Sequence, residues 1–120
     1  MSILRHNEEP LDLNVPENWC CVDCGVNTAP AMPSRELAAL LIKQAGGFEW
    51  RITDESEVYS VWDNVWRKAG MEPGSGCLCI GCLEHRIGRR LRPSDFPADD
   101  EFNHPNFPGT PRLLDRRGRR

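Results

Sequence analysis

Two cysteine pairs of identical spacing, Cys21-Val-Asp-Cys24 and Cys79-Ile-Gly-Cys82, are the residues of this chain best suited to chemistry. A C-x-x-C turn places two thiolates at two corners of a tetrahedron, so two such turns complete the coordination Zn²⁺ prefers and leave no protein ligand missing. A site filled in that way is structural rather than catalytic. The spacing therefore predicts one structural Zn²⁺ held by Cys21, Cys24, Cys79 and Cys82. Burial as small apolar side chains accounts for single cysteines but poorly for two matched pairs. Trp19-Cys20 imitates the entry to a thioredoxin-like dithiol, but Asp23 and the absence of a βαβ pattern argue against one. An iron–sulfur cluster would use the same four thiolates and stays open at this level. Cys20 and Cys77 are expected to pack in the core beside the site.

The rest of the chain sets the context for that site. At 120 residues with 39% hydrophobic content, the sequence suits one soluble domain with a modest core. The opening MSILRHNEEPLDLNV lacks the apolar run of a signal peptide, and no stretch approaches a membrane span, so a cytoplasmic protein is expected. In a reducing compartment, paired cysteines favour a metal over disulfides. Fifteen basic and eighteen acidic residues leave a net charge of −3, which does not suggest general nucleic-acid binding. The charge is uneven, however. Acidic residues crowd the first segment (Glu8, Glu9, Asp12, Glu17) and Asp54 to Glu57, while arginines crowd the end of the chain.

The elements that must carry the cysteines follow from local pattern. Residues 1–18 are polar and hold Pro10 and Pro16, which predicts a lead-in rather than part of the core. The domain is expected over 19–96. Gly25 suits a positive φ that would turn N–H groups toward the thiolates, with Gly81 in a comparable role. Ser34 is a good N-cap for a helix over RELAALLIKQA, stopped at Gly46-Gly47, with Leu37, Ala38, Leu40, Leu41, Ile42 and Ala45 as its core-facing arc. FEWRI and EVYSV alternate as strands and predict a hairpin. Trp62, Val65, Trp66 and Ala69 share one face of a short helix ending at Gly70. Cys77-Leu78 suits a brief strand, and a third helix is expected from the second cysteine pair to about Leu91, stopped by Pro93. Half of the ten prolines lie between Pro93 and Pro111, so residues 97–120 read as an extended Pro-rich and Arg-rich tail, wrapped on the domain or partly disordered. An early knuckle and a late pair entering a helix match the ligand order of a treble clef. The expected class is thus α+β, a small zinc-stapled treble-clef-like domain with about three helices and short hairpins.

No catalytic set accompanies the cysteines. A nuclease built on such a scaffold needs a histidine base before the final helix, and GMEPGSGC has none. His6, His85 and His104 share no catalytic spacing, and neither a phosphate-cradling loop nor a nucleophile motif is present. The chain reads as a non-enzyme without a small-molecule substrate. On a wheel continued to Leu91, His85, Arg86, Arg89, Arg90 and Arg92 fall on the side of Cys82, with Leu83, Ile87 and Leu91 opposite. Those arginines, with Arg116, Arg117, Arg119 and Arg120 at the terminus, are candidates for binding phosphates or a partner. Equally, they suit the offsetting of a zinc–tetrathiolate charge, or pairing with the chain's own carboxylates.

The order C-x-D-C-G-x-N-T, then V-W-x-x-A-G, then L-C-I-G-C-L-E-x-R-I-G-R-x-L followed by Asp95-Phe96, resembles small uncharacterised zinc-binding proteins of bacteriophages and prophages. The resemblance spans about residues 19–96, and its most specific string is Leu78 to Leu91. It implies a phage or mobile-element origin, a location in the host cytoplasm, and zinc bound by the same four cysteines, but no established activity. Two classes of function follow: a nucleic-acid-binding accessory protein using the arginine face and terminal arm, or an adaptor or inhibitor that binds a host protein with zinc only stapling the fold.

Overall fold

The computed structural model describes residues 19–49, 51–73 and 75–118. The lead-in, Trp50, Gly74, Arg119 and Arg120 lie outside them. Among the described residues the chain forms four α-helices, α1 (Arg35–Ala45), α2 (Asp63–Lys68), α3 (Ile80–Ile87) and α4 (Pro111–Arg117), and two 3-10 turns, Pro93–Asp95 and Glu101–Asn103.

Helix α1 begins and ends where its sequence predicts. The Ser34 side chain accepts from Leu37 N–H, and Gly46, at φ 82°, returns its own N–H to Ile42 O. Its packing differs from expectation. Only Ala38 of the predicted arc is buried, Ile42 is partly covered, and Leu37 and Leu40 are each 46% exposed. Helix α2 buries Val65 and Ala69, whereas Trp62 stands outside as its N-cap and donates its indole N–H to Ser94 O.

Helix α3 is shorter than the wheel assumed. Gly88 takes the left-handed conformation, φ 77°, and its N–H closes on Glu84 O, so the helix stops at Ile87 well before Pro93. Arg89, Arg90 and Arg92 therefore belong to the loop after α3 and do not share a helical face with Cys82.

The expected FEWRI–EVYSV hairpin is not found among the described residues, where strand pairing is limited to isolated bridges, Cys20 to Asn27 antiparallel and Cys21 to Cys77 parallel. In the second segment, other partners have taken the backbone groups that a neighbouring strand would use. Glu57 N–H donates to Thr28 O, Ser56 O accepts from Thr110 N–H, and both backbone groups of Ser60 are met by the Asn103 side-chain amide.

Two apolar clusters result. The larger gathers Cys21, Val65, Ala69, Met71, Leu78, Cys79, Ile80, Leu83, Ile87, Leu91, Phe96 and Leu113. The smaller holds Trp19, Ala29, Met32, Ala38 and Val58, with Cys77 packed against it as expected of a core thiol. Leu113 comes from α4, so the expected extended tail instead ends in a helix docked on the larger cluster. Thr110 caps that helix, with Pro111 in its first turn. No helix of the described residues is long and apolar enough to cross a membrane.

Candidate metal centre

The first cysteine pair sits on a tight loop closed on itself. Thr28 N–H donates to Trp19 O, Cys21 N–H to Val26 O, and Gly25 N–H to Cys21 O; the last bond needs the positive φ, 84°, that Gly25 supplies. The second pair enters α3, with Cys79 as N-cap and Cys82 in the first turn. Val22 N–H donates to Cys77 O and brings the two segments side by side. The result joins positions 55 residues apart, with Cys24 Sγ 3.8 Å from Cys79 Sγ.

All four sulfurs, from Cys21, Cys24, Cys79 and Cys82, lie within 4.8 Å of one another. A tetrahedral ion with metal–sulfur bonds of about 2.3 Å requires sulfur–sulfur edges of about 3.8 Å, so the donor set is sized for one ion. No disulfide links these cysteines. The knuckle and the helix N-terminus reproduce the predicted ligand order, while the hairpin that would make the whole a treble clef is not among the described elements. Cys21 and Cys79 are buried, Cys82 is half-buried, and Cys24 faces solvent.

Electrostatics favour a cation here. Burial pushes the Cys21 thiol up, but the backbone N–H groups of Cys79, Cys24 and Asp23 and the thiol of Cys82 outweigh it and lower Cys21 from 9.0 to about 6. Burial, reinforced by the thiols of Cys79, Cys21 and Cys24, drives Cys82 upward. Burial also raises Cys79, against the Cys82 N–H at the start of α3. Four sulfurs this close cannot all ionise by themselves, because each added negative charge disfavours the next. A bound cation removes that conflict. Cys77 is different: burial raises its thiol, and it lies outside the four-sulfur set.

Carboxylates and arginines pair beside the site and around the later part of the chain. Arg86 donates Nε and Nη2 to the two Asp23 oxygens at 2.8 and 2.7 Å, and Nη1 to Ala69 O at 2.7 Å, binding the first cysteine loop to the end of α2. Arg89 makes a two-pronged pair with Asp95, whose carboxylate also accepts Arg92 N–H. Arg116 pairs with Glu84 and Asp115, and Glu84 also accepts Leu91 N–H. Arg117 is buried and donates to Phe102 O and Phe107 O. Arg90 and Arg92 are exposed, as is His85, while His104 accepts Asn106 N–H within its own loop. Of the predicted set, Arg86, Arg89, Arg116 and Arg117 are thus engaged within the chain.

Several residues that build the site carried no motif. Buried Glu57 accepts Ile80 N–H at 2.8 Å and so caps α3, whose own N-cap side chain makes no capping bond. The same carboxylate accepts from the Thr110 hydroxyl at 2.6 Å and from Arg112 through two bonds of 2.9 Å. Burial pushes the Glu57 carboxyl up, yet these three partners hold it below its ordinary value. Tyr59 donates its hydroxyl to Leu78 O at 2.7 Å and fixes the strand-like entry to Cys79. Nothing local in the sequence marks Glu57 as inward-pointing, since its burial depends on Arg112 and Thr110, more than fifty residues away.

Comparison with protein-family models, curated proteins and solved structures finds no match to this chain, so its function is argued from the site itself.

Proposed function

We propose that this chain is a non-enzymatic, zinc-stapled module that binds a protein partner. Zinc is favoured over an iron–sulfur cluster because sulfurs confined within 4.8 Å enclose one ion, not several irons and their bridging sulfides. Four cysteine ligands fill the tetrahedron and keep no position for a reacting water, which assigns the ion to structure.

The engagement of arginines by the chain's own acidic groups carries the choice of a protein over nucleic acid. Arg86, Arg89 and Arg116 each pair with a carboxylate, and Arg117 is buried against backbone carbonyls. Offering these guanidinium groups to phosphates would break bonds that hold the fold. Leu37 and Leu40, in contrast, lie exposed along a shallow groove on α1 with Ser34, Glu36, Ala39 and Lys43, and we assign the partner contact there. The resemblance to small phage proteins makes a host protein the partner class.

Native mass spectrometry with and without chelator is expected to show one zinc per chain. In host lysate the wild type should then retain a stoichiometric partner that a Leu37→Glu/Leu40→Glu variant, unchanged in zinc content and helicity, does not retain. Salt-sensitive binding of duplex DNA or single-stranded RNA that falls on Arg90→Ala/Arg92→Ala substitution would overturn the reading in favour of a nucleic-acid partner.

A further inference from the structure

Arg112 lies far from the cysteines in sequence and reaches them through α4. Its Nε and Nη2 are both occupied by Glu57, each at 2.9 Å, and Glu57 is anchored in turn on Ile80 N–H at the start of α3. This leaves Nη1 aimed at the turn between Cys79 and Cys82. At Gly81 a Cβ would stand only 2.8 Å from that nitrogen, so the absence of a side chain there admits the guanidinium. The role expected for Gly81 was a special backbone conformation. In the structure it is a helical residue without positive φ, and what it supplies is space.

We infer that Arg112 is a positioning residue of the metal centre, a fixed positive charge beside the Cys79 turn that couples ion binding to the docking of α4. Four thiolates and a divalent ion keep a net negative charge, and a guanidinium held next to them offsets part of it. Such coupling is reciprocal: whatever α4 docking adds to ion affinity, ion binding returns to α4 docking. The second ion pair of α4, Arg116 with Glu84, faces the later turns of α3 and serves as the internal control.

The inference rests on the zinc assignment, whose failure would show separately as a wild-type chain that binds no zinc. The test is competition for zinc against a chromophoric chelator, with folding followed by far-UV circular dichroism. Arg112→Gln is expected to weaken zinc binding by about tenfold, the lower end for outer-shell partners of a metal site. Arg116→Gln should stay close to wild type, and Arg112→Lys should recover part of the loss. Equal weakening by Arg112→Gln and Arg116→Gln would reduce Arg112 to a tether and overturn the inference, as would an unchanged Arg112→Gln. If Arg112→Gln does not fold, Gly81→Ala decides, because the added methyl displaces the guanidinium without removing it. A several-fold loss of zinc affinity supports the coupling, and unchanged affinity overturns it.

Discussion

The cysteine side of the molecule and the α1 side solve the same problem of holding a short element in place by different means. Around the cysteines, α3 and α4 are short, yet each is fixed by a buried apolar face together with directed polar bonds. Ile80 and Leu83 on α3 and Leu113 on α4 are fully buried, and Glu57, Glu84, Arg112 and Arg116 tie the two helices together. Helix α1 is longer but buries only Ala38, and its well-formed ends depend on Ser34 and Gly46 rather than on tertiary contact. Local caps suffice to define a helix, whereas a four-sulfur site also needs its backbone held in register. The difference suits a rigid centre and a surface available for contact.

Removing the metal should break this comparison most severely. Chelation, or Cys79→Ser, is expected to cost on the order of 5 kcal/mol or more, because the ion replaces core that a small domain lacks. Hydrogen exchange would show it as lost protection at Leu78, Ile80 and Leu83, with smaller change within α1. Equal loss on both sides would mean that the two clusters unfold as one unit. Next comes Leu113→Ala, which removes a fully buried side chain from the larger cluster and should cost about 3 kcal/mol in denaturant unfolding. Its effect should concentrate in α4 and α3.

The metal ligands were legible because C-x-x-C spacing encodes local geometry, and α1 was legible because Ser34 and Gly46 act on neighbouring residues. The organisation around α4 was not. Proline density between Pro93 and Pro111 implied an extended tail, whereas the segment turns repeatedly, with 3-10 turns at Pro93–Asp95 and Glu101–Asn103, before α4 begins. Nothing local announces that Leu113 will find the larger cluster, or that Arg112 and Arg116 will meet carboxylates 55 and 32 residues away. Likewise the alternation in EVYSV implied a strand, but no strand forms there among the described residues, and the Asn103 amide takes both backbone groups of Ser60. The third helix ends before Pro93 because Gly88 takes the left-handed conformation and closes it on Glu84 O.

A smaller effect is expected at Asp95, which joins the loop after α3 to the turn before the C-terminal segment. Its bond to Arg89 holds the carboxyl below 3.8, with burial opposing and Arg92 N–H assisting. Since the folded value is depressed, the stabilisation is complete above pH 3.8 and is lost as pH falls through the lower folded value. Asp95→Ala should cost about 2 kcal/mol at neutral pH, for charged hydrogen bonds in a partly exposed pair. The gap between variant and wild type should narrow below pH 3.8, and a gap independent of pH would assign the loss to packing instead.

Within α1 the largest polar effect should come from its cap. Ser34→Ala removes the acceptor for Leu37 N–H, 3.2 Å away, and is expected to cost about 1 kcal/mol. Because tertiary contact supports this helix so little, the loss should appear as faster exchange through its first turn, not as a shift of the cysteine side.

Leu37→Gln and Leu40→Gln should be the mildest changes, despite replacing two leucines of a predicted core arc. Both side chains are already nearly half exposed, so little apolar area returns to water, and each substitution should stay within about 0.5 kcal/mol of wild type. Thermal melting at fixed zinc concentration measures this directly. A larger loss would mean that these leucines are covered in solution, and the comparison between a braced centre and an open α1 would then fail at its open side. Unchanged stability combined with lost partner binding would separate the two regions cleanly, with charged clamps and sulfurs holding the fold and Leu37 and Leu40 meeting the proposed partner.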